Sequence, residues 1–149
     1  MSQKGMQMNF FPEINTEKTK ANAKRKLREY PRWRRVANDV DGQKITATYT
    51  FEQRQAHGNP SKPVERLAIN KTDAETELEA IEYAVSNLFD PMHRKLLHDR
   101  YLMTHPKSHF EIREEIGYEK SQYYELISSA LLAFAELYRG SCLVVSLSE

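Results

Sequence analysis

The sequence predicts an all-α fold, a helical bundle preceded by a basic helical arm. Apolar residues recur at steps of three and four from Ala74 to Tyr138, which places them on single helix faces. Helix-start signals stand at Thr72-x-x-Glu75, Asp90-Pro91 and Ser108-x-x-Glu111. Five Gly and six Pro in 149 residues are too few for a loop-rich chain.

The elements follow in order. Residues 1–14 read as a lead that ends in an anchor, Phe10-Phe11-Pro12. Asn15 is placed to cap a helix carrying Lys18, Lys20, Lys24, Arg25, Lys26 and Arg28. Pro31 lacks a backbone donor and disfavours helix at Tyr30, so a kink or restart is expected there. A short helix from Arg32 to Val40 carries Trp33, Val36 and Val40 as an apolar stripe that needs a surface to cover it, a second copy of the chain being one candidate. Asp41-Gly42 signals a turn, and the alternation from Ile45 to Phe51 suggests extended structure within a linker over 41–63. Gly58-Asn59-Pro60 and Pro63 punctuate its end.

Four helices are expected after the linker, at 72–89, 91–102, 109–116 and 120–139. The first is acidic outside and buries Ala74, Leu78, Ile81, Val85 and Leu88. Asp90 caps the second, with Pro91 at its first position, where a missing donor costs nothing. Ser108 and Glu111 form a capping box for the third, and Gly117 ends it in a left-handed conformation. The fourth starts after Gly117-Tyr118-Glu119, with Ile112, Ile116, Tyr118, Tyr123 and Leu126 sharing one small core. That spacing is a helix-turn-helix, within a domain 64–149 that follows the arm and linker of 1–63. Leu143 to Leu147 suggests a short closing strand.

Charge divides the chain. Residues 1–40 hold ten Lys/Arg against four Asp/Glu, whereas 71–90 holds one Lys against six acids. One cysteine, Cys142, excludes an intramolecular disulfide framework and reads as an apolar filler in a reducing compartment. No apolar run approaches the roughly 18 residues of a membrane span, and the polar start lacks a secretory core. A cytoplasmic protein without membrane contact is expected.

Candidate residues follow from the motif. In a helix-turn-helix the exposed start of the second helix enters the major groove of double-stranded DNA. Here those residues are Lys120, Ser121, Gln122, Tyr124 and Glu125. Gln122 suits a bidentate contact to adenine, Lys120 a guanine or phosphate, and Glu125 a cytosine amine. Lys107, Ser108 and Arg113 are candidates for phosphate contact, as are Lys24, Arg25 and Arg28 of the arm. Residues 107–125 themselves carry three cations against five carboxylates, so the basic arm is the candidate source of the phosphate affinity the motif lacks. Tyr30 and Trp33 stand among its cations and are expected in the core. The histidine pairs His93/His98 and His105/His109 lack ligand spacing, Glu77 and Glu79 read as a solvated face, and no nucleophile or phosphate loop is present. No enzyme activity, cofactor or metal is expected.

The blocks Phe10-Phe11-Pro12-Glu13-Ile14-Asn15, Lys18 to Asn22, Ile116-Gly117-Tyr118, Tyr123-Tyr124 and Ala130 to Tyr138 resemble the ArpU family. That family comprises transcriptional regulators of temperate phages and prophages of Gram-positive bacteria. The resemblance runs from Phe10 to Val145 and is poorest over 41–63. It implies a regulator of phage late genes, acting in the bacterial host's cytoplasm through a helix-turn-helix like region four of sigma factors. By position it puts the base-reading surface on Lys120, Ser121, Gln122, Tyr124 and Glu125, with Ser108 and Arg113 near phosphates. Two positions depart from such motifs: Glu119 replaces the usual Ser or Thr cap, and Arg113 replaces a small residue. Two other readings stand beside this one. The chain is an adaptor docking on bacterial RNA polymerase, favoured by its acidic helix, or a phage DNA-packaging subunit, disfavoured by the motif's C-terminal position.

Overall fold

The computed structural model describes residues 13–37 and 61–147, with backbone alone for 61–70. The described residues are helical apart from caps, turns and one isolated bridge, as expected of an all-α chain. The anchor at Phe10, the stretch 41–60 and Val40 of the apolar stripe lie outside the described residues.

Helix α1 spans Thr16–Arg28 and begins as the sequence requires, with the Asn15 side chain accepting the Lys18 N–H at 3.0 Å. Thr19, Ala23 and Leu27 recur every four residues and are buried, so one stripe faces inward. The helix ends at Glu29, and α2 (residues 30–37) restarts immediately, where Pro31 needs no donor. Trp33 is not a free stripe residue: it packs against the core, and its indole N–H donates to Glu29 Oε1 at 3.0 Å.

Helix α3, Ser61–Ser86, corrects two expectations at once. Pro63 lies inside its first turn, where proline is tolerated, rather than in a linker. Thr72 does not cap anything; it is mid-helix, and its carbonyl accepts the Thr76 hydroxyl at 3.0 Å. A Thr-x-x-Glu spacing also occurs inside helices, and only a non-helical φ/ψ at the first residue makes it a cap.

Helix α4, Pro91–Leu97, is capped by Asp90, whose carboxylate accepts the Met92 N–H at 2.9 Å. The backbone then widens into a π turn, His98–Leu102, closed by the Met103 N–H on the His98 carbonyl. Helices α5 (His109–Ile116) and α6 (Lys120–Leu137) follow, and a left-handed turn at Arg139, Gly140 and Ser141 ends the bundle. The closing strand reduces to a single antiparallel bridge between Ile14 and Ser146. Around it, Asn15 N–H donates to Val145 O (2.7 Å) and Val145 N–H to Thr19 Oγ1 (3.0 Å), tying both ends of the described chain together.

The core is built on α6. Its Tyr123, Ile127, Ala130, Leu131, Phe134 and Ala135 are buried against α1 and α4. Across the expected boundary at residue 63, Ala23, Leu27 and Tyr30 belong to the same apolar cluster as Ile81, Leu97 and Phe134.

One carboxylate overturns the solvated reading of the acidic helix. Glu77 is 9 % exposed and accepts from Tyr138 OH, from Lys26 Nζ (3.1 Å) and from Arg139 (2.8 Å). Burial pushes its pKa up, but the Tyr138 hydroxyl, Lys26 and Arg139 outweigh that and hold it below the ordinary range. Glu79 is exposed, as expected.

Glu77→Ala is expected to destabilise the fold by roughly 2–4 kcal/mol, because Lys26 and Tyr138 lose a buried acceptor. Glu79→Ala should stay within about 0.5 kcal/mol. The depressed Glu77 pKa means the folded state binds fewer protons than the unfolded one. Its contribution is therefore complete above the unfolded value of 4.5 and fades as pH falls through the folded value. Urea melts of wild type and Glu77→Gln from pH 7 to 3 check this: the variant should lose less stability on acidification.

Candidate nucleic-acid interface

The outer end of the bundle is built from the α5–α6 pair. Ser108 accepts the Glu111 N–H (3.1 Å) and Glu111 accepts the Ser108 N–H (2.8 Å), so α5 starts with a complete capping box. Gly117 ends it at φ +74°, a backbone that a side chain would strain, with its N–H on Arg113 O at 2.9 Å. Ile112 fills the space beneath this turn and is fully buried, as is Tyr123 of α6. Tyr118 is therefore left at 37 % exposure rather than in the shared core. Ile116 and Leu126 are half-buried against that core.

The first turn of α6 faces solvent. Lys120, Ser121, Gln122, Tyr124 and Glu125 are all exposed, while Tyr123 between them points inward. Glu119 does serve as a cap position, with its backbone N–H donating to Gln122 Oε1 at 3.3 Å. That leaves the Gln122 amide NH2 as the outward donor.

His109 locks this turn to the rest of the molecule. Arg100 Nε–H donates to His109 Nε2 (3.3 Å), so the ring's proton sits on Nδ1 and is donated to Tyr123 OH (2.7 Å). Its ring also meets Tyr123 edge-on at 5.4 Å and Tyr124 at 5.3 Å. Burial lowers the His109 pKa, and Arg100, Lys24 and Arg28 lower it further. Nothing in the local sequence flags Arg100; it reaches His109 from the π turn, whose register differs from that of an α-helix.

The phosphate candidates separate into two groups. Lys107 is committed to Glu115 (2.9 Å) and lies 3.9 Å from Asp99, and the Ser108 hydroxyl is committed to its cap. The Arg113 guanidinium sits 5.6 Å from the centre of the exposed Phe110 ring. On α1, Arg25 and Arg28 are exposed and Lys24 is half-buried. Lys20 and Lys24 line a groove of about 220 Å³ with His109, Tyr124 and Ser128, so α1 and the start of α6 share one surface. Lys20, which sequence reasoning did not single out, donates to Ser128 Oγ across that groove at 3.3 Å.

The described residues hold no group of three or more His, Cys, Asp or Glu placed to bind a metal. No described helix is long and apolar enough to cross a membrane. Fold and site define a class: an all-helical protein presenting one helix start beside a cationic helix. A relative from Streptococcus phage O1205, named as an autolysin regulatory protein, ArpU, is 48 % identical over 135 residues, covering 91 % of this chain and 97 % of the relative. A second, of the same name, from Enterococcus hirae, is 28 % identical over 136 residues, covering 89 % and 94 %. The chain belongs to the ArpU family. No protein-family model and no solved structure matches it.

The geometry predicts that His109 is neutral at pH 7, with a titration midpoint below its ordinary 6.5. Following the ring's Cε1–H shift by NMR checks it, and Arg100→Gln should move the midpoint upward.

Proposed function

We propose that this chain is a sequence-specific, DNA-binding transcriptional regulator of phage late genes that reads promoter DNA through α5 and α6. The observation that carries the reading is the exposed first turn of α6, anchored from behind by Tyr123 and flanked by cations of α1. A helix start held outward in this way is the part of a helix-turn-helix that meets base edges. Lys120, Ser121, Gln122, Tyr124 and Glu125 would read bases, while Lys24, Arg25 and Arg28 neutralise phosphates. Of the motif's own phosphate candidates, Arg113 and the backbone around Ser108 fit best, because Lys107 is held by carboxylates. The regulatory name shared by the relatives supports the class, and it adds an autolysin as the regulated target. The setting is the host cytoplasm.

A second reading is favoured by a different surface. Phe89 is 98 % and Tyr83 63 % exposed, Tyr83 on the acidic helix α3 and Phe89 just after it, which suits an adaptor that docks on bacterial RNA polymerase. The two readings differ in what binds first. Pull-down of polymerase by a protein that shifts no DNA would favour the adaptor.

Selection of duplexes from a random pool tests the main reading. Wild type should enrich one sequence, and Gln122→Ala should relax preference at one base pair by about 1–3 kcal/mol. Lys24→Gln/Arg25→Gln should instead weaken every duplex alike. Equal binding to selected and scrambled DNA at every salt concentration would overturn it.

A further inference from the structure

Carboxylates neutralise some cations of this chain and leave others free of ion pairs among the described residues. Lys20, Lys26, Lys95, Lys107 and Arg139 are each within 4.0 Å of an Asp or Glu oxygen. Lys24, Arg25, Arg28, Arg32 and Arg35 are among the described cations that form no ion pair, and they are gathered in one place. These five line a single depression of about 780 Å³ on the outside of the corner between α1 and α2. The one carboxylate at its edge, Glu29, is engaged by Lys26 (2.9 Å) and by the Trp33 indole (3.0 Å). Lys24 lines this depression and also the groove shared with His109 and Tyr124. The cationic surface therefore runs without a break from the start of α6 to Arg35.

We infer that Arg32 and Arg35 form a second, sequence-blind contact, on which duplex DNA continues past the reading helix. This rests on the DNA-binding reading above and adds to it a longer footprint. Five cations at a corner of two helices, with no ion pair among the described residues, repel one another, and a strand of phosphodiesters relieves that repulsion by releasing its own counterions. Guanidinium forks suit phosphate oxygens, and four of the five side chains are arginine. The contact is not to bases, because a stripe of arginines on the outside of a helical corner offers no element that enters a groove.

The test uses the full chain and a fluorescein-labelled 30-base-pair duplex of random sequence, followed by anisotropy between 50 and 200 mM NaCl. Each phosphate contact contributes about 0.9 to the slope of log K against log salt. The double variant Arg32→Gln/Arg35→Gln should lose about 1.8 of that slope. Wild type should then lose about tenfold more affinity than the variant across this salt range. Arg32→Lys/Arg35→Lys should restore the slope. Both arginines are solvent-facing, so helix content and melting temperature should not change. Binding by wild type with an unaltered slope in the double Gln variant would overturn this inference and leave the DNA reading standing. Absence of any duplex binding by wild type at 50 mM salt would overturn both.

Discussion

A single buried carboxylate, Glu77, sets the arrangement on which everything else depends. It lies on α3 and receives donors from α1 (Lys26) and from the two residues after α6 (Tyr138 and Arg139). Three separate parts of the chain are thereby referred to one point. An isolated buried carboxylate would be expelled or protonated, so it is stable there only with all its partners in place. The Arg139 backbone, at φ +43°, adopts the left-handed region that non-glycine residues avoid, and the Glu77 contact is what holds its side chain there.

Fixing α1 against α6 has an electrostatic consequence. The buried stripe Thr19, Ala23 and Leu27 turns inward, which leaves Lys24 in the groove beside Tyr124 and leaves Arg25 and Arg28 exposed on the same helix. The helix pair alone is acidic, which opposes a nucleic-acid partner. Part of the excess is internal: Glu111 closes a cap, and Glu115 pairs with Lys107, which holds its pKa low, with Lys95 at 3.7 Å. What the surface presents to a partner is set by packing and not by the tally of charges along the segment.

Local signals were legible in the sequence because they act over one turn. Asn15, Asp90, Ser108 and Gly117 each do what their residue types require within four positions. The apolar periodicity of α6 likewise named its inward face correctly at Tyr123 and Ile127, and by subtraction its outward one. Long-range facts were not legible. Glu77 looks like any exposed glutamate of an acidic helix, and its three partners are 51, 61 and 62 residues away. The Thr72 pattern misled because helix-forming residues precede it and the backbone never left the helical region. Arg100 joined the site through a π turn, a register that no spacing rule anticipates. Tyr118 was assigned to a core that Ile112 and Tyr123 already fill.

We propose that the outward turn of α6 and the cations of α1 form one surface for duplex DNA. Titrating isotope-labelled protein with a duplex selected from a random pool, and mapping the perturbed NMR signals, tests it most directly. The shifts should cluster at Lys120, Ser121, Gln122, Tyr124 and Glu125 and along Lys24, Arg25 and Arg28. Shifts confined to the surroundings of Tyr83 and Phe89, with α6 silent, would contradict it.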